Sequence, residues 1–271
     1  MLAGIGEIHA QTVSYNGSAQ FSTGSYYFEN STNSFFLSNG LSMQSSRFTT
    51  SINVPYVVQS TPWISYTYVG GIPTGGTQNG EVYQSGRQDR QGSGRRQNAI
   101  PLADTTSYSK SGFSDPTISA SFTILSNRYH RVIVSLNGNL KVPFANPSNG
   151  FGTGAWDTGV GVSVSKGIFQ NMMVFANSMY WSLGDMDELE LKDAVSYAVG
   201  LGFFINRGTV MFNSSLNGMT QVAEEFDAPI SLNLGTGLNM YERISLNANV
   251  STGLSEASPD FSFGLGWSIR L

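Results

Sequence analysis

The chain has 271 residues, 18 acids against 14 bases, and only 12% charged residues, about half the roughly 25% usual in soluble proteins. Its 40% apolar and 12% aromatic content excludes a disordered chain, and the absence of cysteine excludes thiol catalysis, zinc–thiolate sites and disulfides. No apolar run, Met172–Ala176 included, approaches the ~18 residues of a membrane helix, which leaves a Gly-rich, charge-poor transmembrane β-barrel.

Taken in chain order, Ile8-His9-Ala10 before Gln11 has the form of a signal-peptidase site without the basic and apolar segments that should precede it. Residues 1–10 are therefore expected to be a residual signal peptide or a disordered tail, and 11–271 a single barrel domain. Strands are predicted at about 12–28, 34–44 and 47–59, with Trp63–Val69 as a raised extension of the third. Residues 70–114, rich in Gly, Gln, Ser and Arg (Arg87, Arg90, Arg95, Arg96), form a long external loop that either gates the barrel or is simply solvated. No aromatic platform is interleaved with these arginines, so a nucleic-acid partner is not expected.

From about residue 115 the chain alternates with period 2, as successive side chains on a strand must. Ile118, Ala120, Phe122 and Ile124 alternate with Thr117, Ser119, Ser121 and Thr123. The same pattern recurs through Val132–Val142, Trp156–Val164, Val195–Ile205, Val210–Leu216, Ile230–Leu238, Ile244–Val250 and Phe261–Leu271. No charge occupies the apolar face of these strands. Lipid explains this, since Lys or Arg at the bilayer midplane costs about 2–4 kcal/mol. A soluble sandwich also has a charge-free face, but its solvated face carries Lys and Glu; here that face is Ser, Asn and Gly. Short connections near 126–130, 166–170, 206–208 and 240–243 alternate with longer ones near 144–154, 184–192, 219–228 and 254–260. This is the pattern of short periplasmic turns and longer outer loops in an even-stranded barrel. The expectation is an all-β, up-and-down, antiparallel transmembrane barrel of about twelve strands, crossing a Gram-negative outer membrane many times.

Charge is sorted between the rims. The outer loops hold Asp185, Asp187, Glu188 and Glu190 together with Glu224, Glu225, Asp227, Glu256 and Asp260; the inner turns hold Arg128, Arg131, Lys166, Arg207 and Arg243 against Glu242. An acidic mouth would draw divalent cations or cationic solutes, although loops must be polar somewhere. Aromatics fit interfacial belts: Tyr26, Tyr27, Phe28, Trp156, Tyr180 and Trp181 outside, and Tyr129, Phe169, Tyr241 and Trp267 inside.

The lumen is expected to be lined mainly by Ser, Thr, Asn and Gly. Asn137, Asn139, Asn213, Asn217, Asn233, Asn247 and Asn249 offer donors and acceptors, and Arg131, Lys141, Asp157 and Arg270 add sparse charge. Lys141 and Asp157 fall on neighbouring strands around a turn near 149, so a cross-strand pair is predicted, serving either selectivity or wall stiffness.

Four stretches carry a family resemblance: Gly112-Phe113-Ser114-Asp115-Pro116-Thr117, Gly138-Asn139-Leu140-Lys141-Val142-Pro143, Gly152-Thr153-Gly154-Ala155-Trp156-Asp157, and Gly253-Leu254-Ser255-Glu256-Ala257-Ser258-Pro259-Asp260. With Val54-Pro55-Tyr56 they resemble the outer-membrane barrels of the MetA-pathway of phenol degradation family. The resemblance covers 112–271 well and 11–70 loosely. It implies an outer-membrane barrel carrying small, aromatic or weakly amphipathic compounds. The final strand also resembles the signal read by barrel-assembly machinery, with Leu271 where Phe or Trp is usual.

Catalysis is not expected. General-base chemistry at neutral pH most often recruits His, and the chain has only His9, in the tail, and His130, beside a short inner turn. The acids from Asp185 to Glu190 lie in a solvated loop that gives no raised pKa. No phosphate-binding glycine loop or metal-ligand His cluster occurs, so no cofactor and no metal are expected. Two functions stand: passive passage of small solutes, or a docking barrel with a plugged lumen and partner-binding outer loops.

Overall fold

The computed structural model describes residues 11–25, 31–60, 68–69, 72–73, 109–145, 151–184, 191–222, 227–240 and 243–271. Twelve long strands run in sequence. They are β1 (Thr12–Gly24), β2 (Thr32–Gln44), β3 (Phe48–Gln59), β4 (Thr117–Asn127), β5 (Val132–Lys141), β6 (Asp157–Phe169), β7 (Met172–Ser182), β8 (Ala194–Ile205), β9 (Val210–Met219), β10 (Ile230–Met240), β11 (Ile244–Gly253) and β12 (Phe261–Arg270). Each pairs antiparallel with its neighbour, and β1 pairs with β12 from Ser14↔Arg270 to Thr23↔Phe261, so the sheet closes on itself. Closure leaves no open edge among the long strands, the condition for crossing a membrane with β-structure.

A short segment, Lys110–Phe113, continues the line of β4 and pairs with the outer half of β3. The sequence assigns 110–113 to the external loop; the backbone puts them in the wall. The break between segment and strand falls at Ser114-Asp115-Pro116, because Pro116 has no N–H to give a ladder. Opposite it Pro55 cannot donate either, and its carbonyl accepts from the Ser114 N–H at 2.9 Å. Residues 1–10 and 74–108 lie outside the described residues, as do 63–67 of the expected extension of β3. Tyr68–Val69 pairs instead with Ile72–Pro73 in a separate two-stranded sheet.

The outward row is the apolar one. Phe122, Leu136, Leu232 and Leu265 are 46%, 50%, 41% and 46% exposed. A sandwich would bury these residues against a second sheet; here they face outwards, where lipid replaces water. Two irregularities adjust the row. The pairing of β4 with β5 slips between Thr123 and Leu125, which puts Ile124 and Leu125 both on the surface. The pairing of β6 with β7 slips at Met172/Met173.

The short turns lie at one end with the C-terminus. In the β4–β5 turn Arg131 takes a left-handed backbone (φ 52°). Its guanidinium donates to the carbonyls of Phe169 and, at 3.1 Å, Gln170, tying this turn to the next. At the other end Trp181, Leu183, Ala194, Met219 and Val222 form a buried apolar cluster at β7–β9.

Candidate functional site

The inner wall divides into two chemistries. Between Met211 and Met219, at the two ends of the inward row of β9, the inward rows of β9–β12 are small and amide-rich. A Cβ on Gly235 would meet Asn213 Oδ1 at 2.6 Å, one on Gly264 would meet Asn249 Oδ1 at 2.5 Å, and one on Gly266 would meet Asn247 Oδ1 at 2.5 Å. These amides lie flat along the wall over the glycines beside them. Asn233 shares the inward row of Gly235, and Asn217 that of Asn213. Arg270 ends the inward row of β12 at the end with the short turns, and Arg131 holds the turn described above.

On β7 the inward row is Met173, Phe175, Asn177, Met179 and Trp181, set opposite the inward glycines of β6 and β8. A Cβ on Gly200 would meet the Phe175 ring at 2.4 Å, and one on Gly202 the Met173 side chain at 3.0 Å. Beside the expected lining, mainly Ser, Thr, Asn and Gly, an apolar strip interrupted by Asn177 runs down one side. Trp181, expected in an outer aromatic belt, points inward instead, 5% exposed, with its indole N–H donating to Ser196 Oγ at 3.0 Å. Tyr180, its neighbour, faces outward and hydrogen-bonds the Asp193 carboxylate. That bond holds the Asp193 carboxyl below the ordinary range.

Between the strip and β3–β5 lies a cavity of about 520 Å³. Asn137, Asn139, Lys141 and Asp157 line it, together with Phe36, Val57, Met179 and Trp181. Asn137 donates to Ser163 Oγ at 3.1 Å. Asn139 accepts from Ser119 Oγ and directs its amide N–H towards Met179 Sδ at 3.2 Å.

At the outer end of this cavity the Lys141↔Asp157 register brings Lys141 Nζ to 2.7 Å from Asp157 Oδ2. Asp115, from the break before β4, adds a second carboxylate at 3.8 Å, a contact the sequence reading did not foresee. The Lys141 ammonium also donates to Thr153 Oγ1. Asp115 Oδ1 accepts from the Phe144 and Ala145 amides, each at 2.9 Å, and Asp157 Oδ1 accepts from the Gly184 amide at 3.0 Å. Burial raises the Asp115 carboxyl above its ordinary range, opposed by the Ala145 amide, the Lys141 charge and the Phe144 amide. Three of the four family-like stretches thus converge on one cluster. The signal for Asp115 was present, an acid beside a proline within a Gly-rich rim motif, but it stands at the break before β4, just beyond the Thr117↔Lys141 pair, where ladder register no longer places a side chain.

Arg87, Arg90, Arg95, Arg96, Asp185, Asp187, Glu188 and Glu190 lie outside the described residues. Among the described residues no group of three or more His, Cys, Asp or Glu could hold a metal.

No protein-family model matches the chain, and no curated protein matches its sequence. Solved structures do. An outer-membrane channel from Pseudomonas putida F1 superposes with a TM-score of 0.67 at 12% identity, covering 100% of both chains. The NanC porin gives 0.52 at 11% identity over 96% of this chain and 100% of its own, and the KdgM porin in complex with disordered oligogalacturonate gives 0.50 at 7% identity over 96% and 99%. At such identities the likeness concerns the fold: a closed twelve-strand antiparallel barrel of the multi-pass outer-membrane kind.

Proposed function

We propose that this chain is an outer-membrane channel for passive uptake or efflux of small solutes, with weakly amphipathic compounds, aromatic ones included, as its preferred cargo. The observation that carries this reading is the divided inner wall. Asn and Ser side chains on β9–β12 satisfy polar edges of a solute, while Met173, Phe175, Met179 and Trp181 on β7 offer apolar contact. Such a wall takes solutes that neither a wholly polar nor a wholly greasy bore would favour. A reading as one barrel domain over 11–271, inserted by barrel-assembly machinery that recognises β12, accompanies it.

Catalysis has no support at this site. His130 sits at the periplasmic end with its backbone N–H on Asn127 Oδ1 at 2.9 Å and its ring edge-on to Tyr129. Lys141, Asp115 and Asp157 are committed to one another.

The test is swelling of liposomes reconstituted with the folded protein, using solutes of matched size, such as a pentose and benzyl alcohol derivatives, alongside single-channel conductance. Permeation by both classes, faster for the amphipathic one, is expected. Impermeability to every solute would overturn the channel reading in favour of a plugged docking barrel, a reading supported by the burial of Phe151 and Thr153 at the outer end.

A further inference from the structure

The buried ion cluster is too well enclosed to select solutes by charge. The Lys141 and Asp157 side chains are 6% and 0% exposed, and Asp115 is no more accessible. What these groups touch is the chain itself. Asp115 holds the start of the β5–β6 connection through the Phe144 and Ala145 amides, Lys141 holds its far end through Thr153, and Ser114 Oγ donates to the Phe151 carbonyl at 2.6 Å. The outcome is visible at Phe151. Gly112 pairs with inward-facing Val57, so its missing side chain would point into the lumen, and the Phe151 ring occupies that space, 2.7 Å from where a Cβ would stand. Gly152 likewise has no room for a Cβ, which would strike the Asp115 carboxylate at 2.6 Å. The segment 151–153 is thereby pressed flat on the inner face, held against Ser114, Asp115 and Lys141, which line the outer end of the cavity.

Burying three charges is a costly way to gain stability, since desolvation consumes most of the attraction; its better-attested use is to specify one arrangement. Resting on the channel reading, we infer that Phe151–Thr153 is the constriction that sets this pore's size limit, with Lys141, Asp115 and Asp157 as the positioning residues that hold it inside the barrel.

Two variants separate obstruction from anchorage. Phe151→Ser removes the ring without touching a charge; Lys141→Met removes the cation that links Thr153 to the wall. Folding of each is verified by heat-modifiable migration. The exclusion limit is then read by liposome swelling with a graded series of oligosaccharides, and pore size by conductance. Both variants are expected to raise conductance about two-fold and admit larger sugars, as widening a constriction does. A permeable parent with an unchanged exclusion limit in Phe151→Ser overturns the constriction while leaving the channel reading intact. A folded Lys141→Met with the parent's exclusion limit overturns the anchorage. If parent and variants are all impermeable, the channel reading fails and the constriction falls with it. Should Lys141→Met not fold, Phe151→Ser decides alone.

Discussion

Trp181 on β7 lies across Gly159 on β6: a Cβ at position 159 would stand 2.8 Å from the indole Cε3 and 2.9 Å from Met179 Sδ. Glycine is needed there for space, not for backbone freedom. The strip's largest side chain lies flat only because its neighbour has none, and the Ser196 hydroxyl fixes its far edge.

Gly159→Ala is therefore expected to cost about 1–3 kcal/mol, the usual penalty for overpacking a fitted site. Urea unfolding of the vesicle-reconstituted protein measures it. The displaced indole should also change the fluorescence of the folded state. Gly138→Ala, on the outward face with its nearest atom 4.0 Å away, should show neither effect.

The two faces of β10 should respond oppositely to charge. Leu234 points outward at mid-strand and is 52% exposed, whereas Asn233 points inward. Leu234→Arg should lose about 2–4 kcal/mol on folding into bilayers, and Asn233→Arg should lose little stability while shifting ion selectivity towards anions. Refolding titrations and reversal potentials measure the two. Equal costs would mean that the faces are misassigned.

Lys141→Met leaves Asp115 and Asp157 buried without their cation, a loss of about 3–5 kcal/mol near neutral pH. Asp157→Asn in the same chain should recover part of it, the shared partner making the two changes non-additive. The sign of the pH dependence follows from desolvation. Asp115 already has a raised carboxyl. Removing the cation raises it further, so the folded state binds more protons than the unfolded one and stability climbs as pH falls through the acid range. Denaturation midpoints measured from neutral to acid pH give this slope, and a flat profile would contradict it.

The β8–β9 turn tests backbone conformation free of packing. Asn206, Arg207 and Gly208 all take positive φ (49°, 58° and 92°), and nothing lies within 4 Å of a Cβ placed on Gly208. Gly208→Ala should thus cost about 1 kcal/mol from conformation alone. Arg207→Gly should be near neutral, trading left-handed strain for chain entropy. Thermal melts of detergent-solubilised barrels resolve both.

How legible this fold was depends on the strand. β10, β11 and β12 announce themselves because one face meets lipid and the other a polar bore, so alternation is written into each strand. β7 does not: Val174 and Ala176 face out while Phe175 and Met179 face in, and with both faces apolar the period vanishes. That is why the apolar strip and the inward Trp181 could not be read ahead. The Lys141–Asp157 pairing was readable since it is a matter of register between adjacent strands around one connection. Asp115 was not, because it stands outside the paired part of β4, beyond Thr117↔Lys141, and its direction is set by the Pro116 break and the Phe144 and Ala145 amides rather than by register.

The amino-acid order by itself determined the all-β barrel, its lipid-facing rows and the sequence of short and long connections. These follow from local rules: period 2, the cost of charge in hydrocarbon, and the need to satisfy every backbone group. Only the closed tertiary structure decided which large side chains rest over which glycines, and that three rim motifs meet at one buried lysine. Those contacts join residues on different strands, and their positions depend on the curvature and closure of the whole sheet.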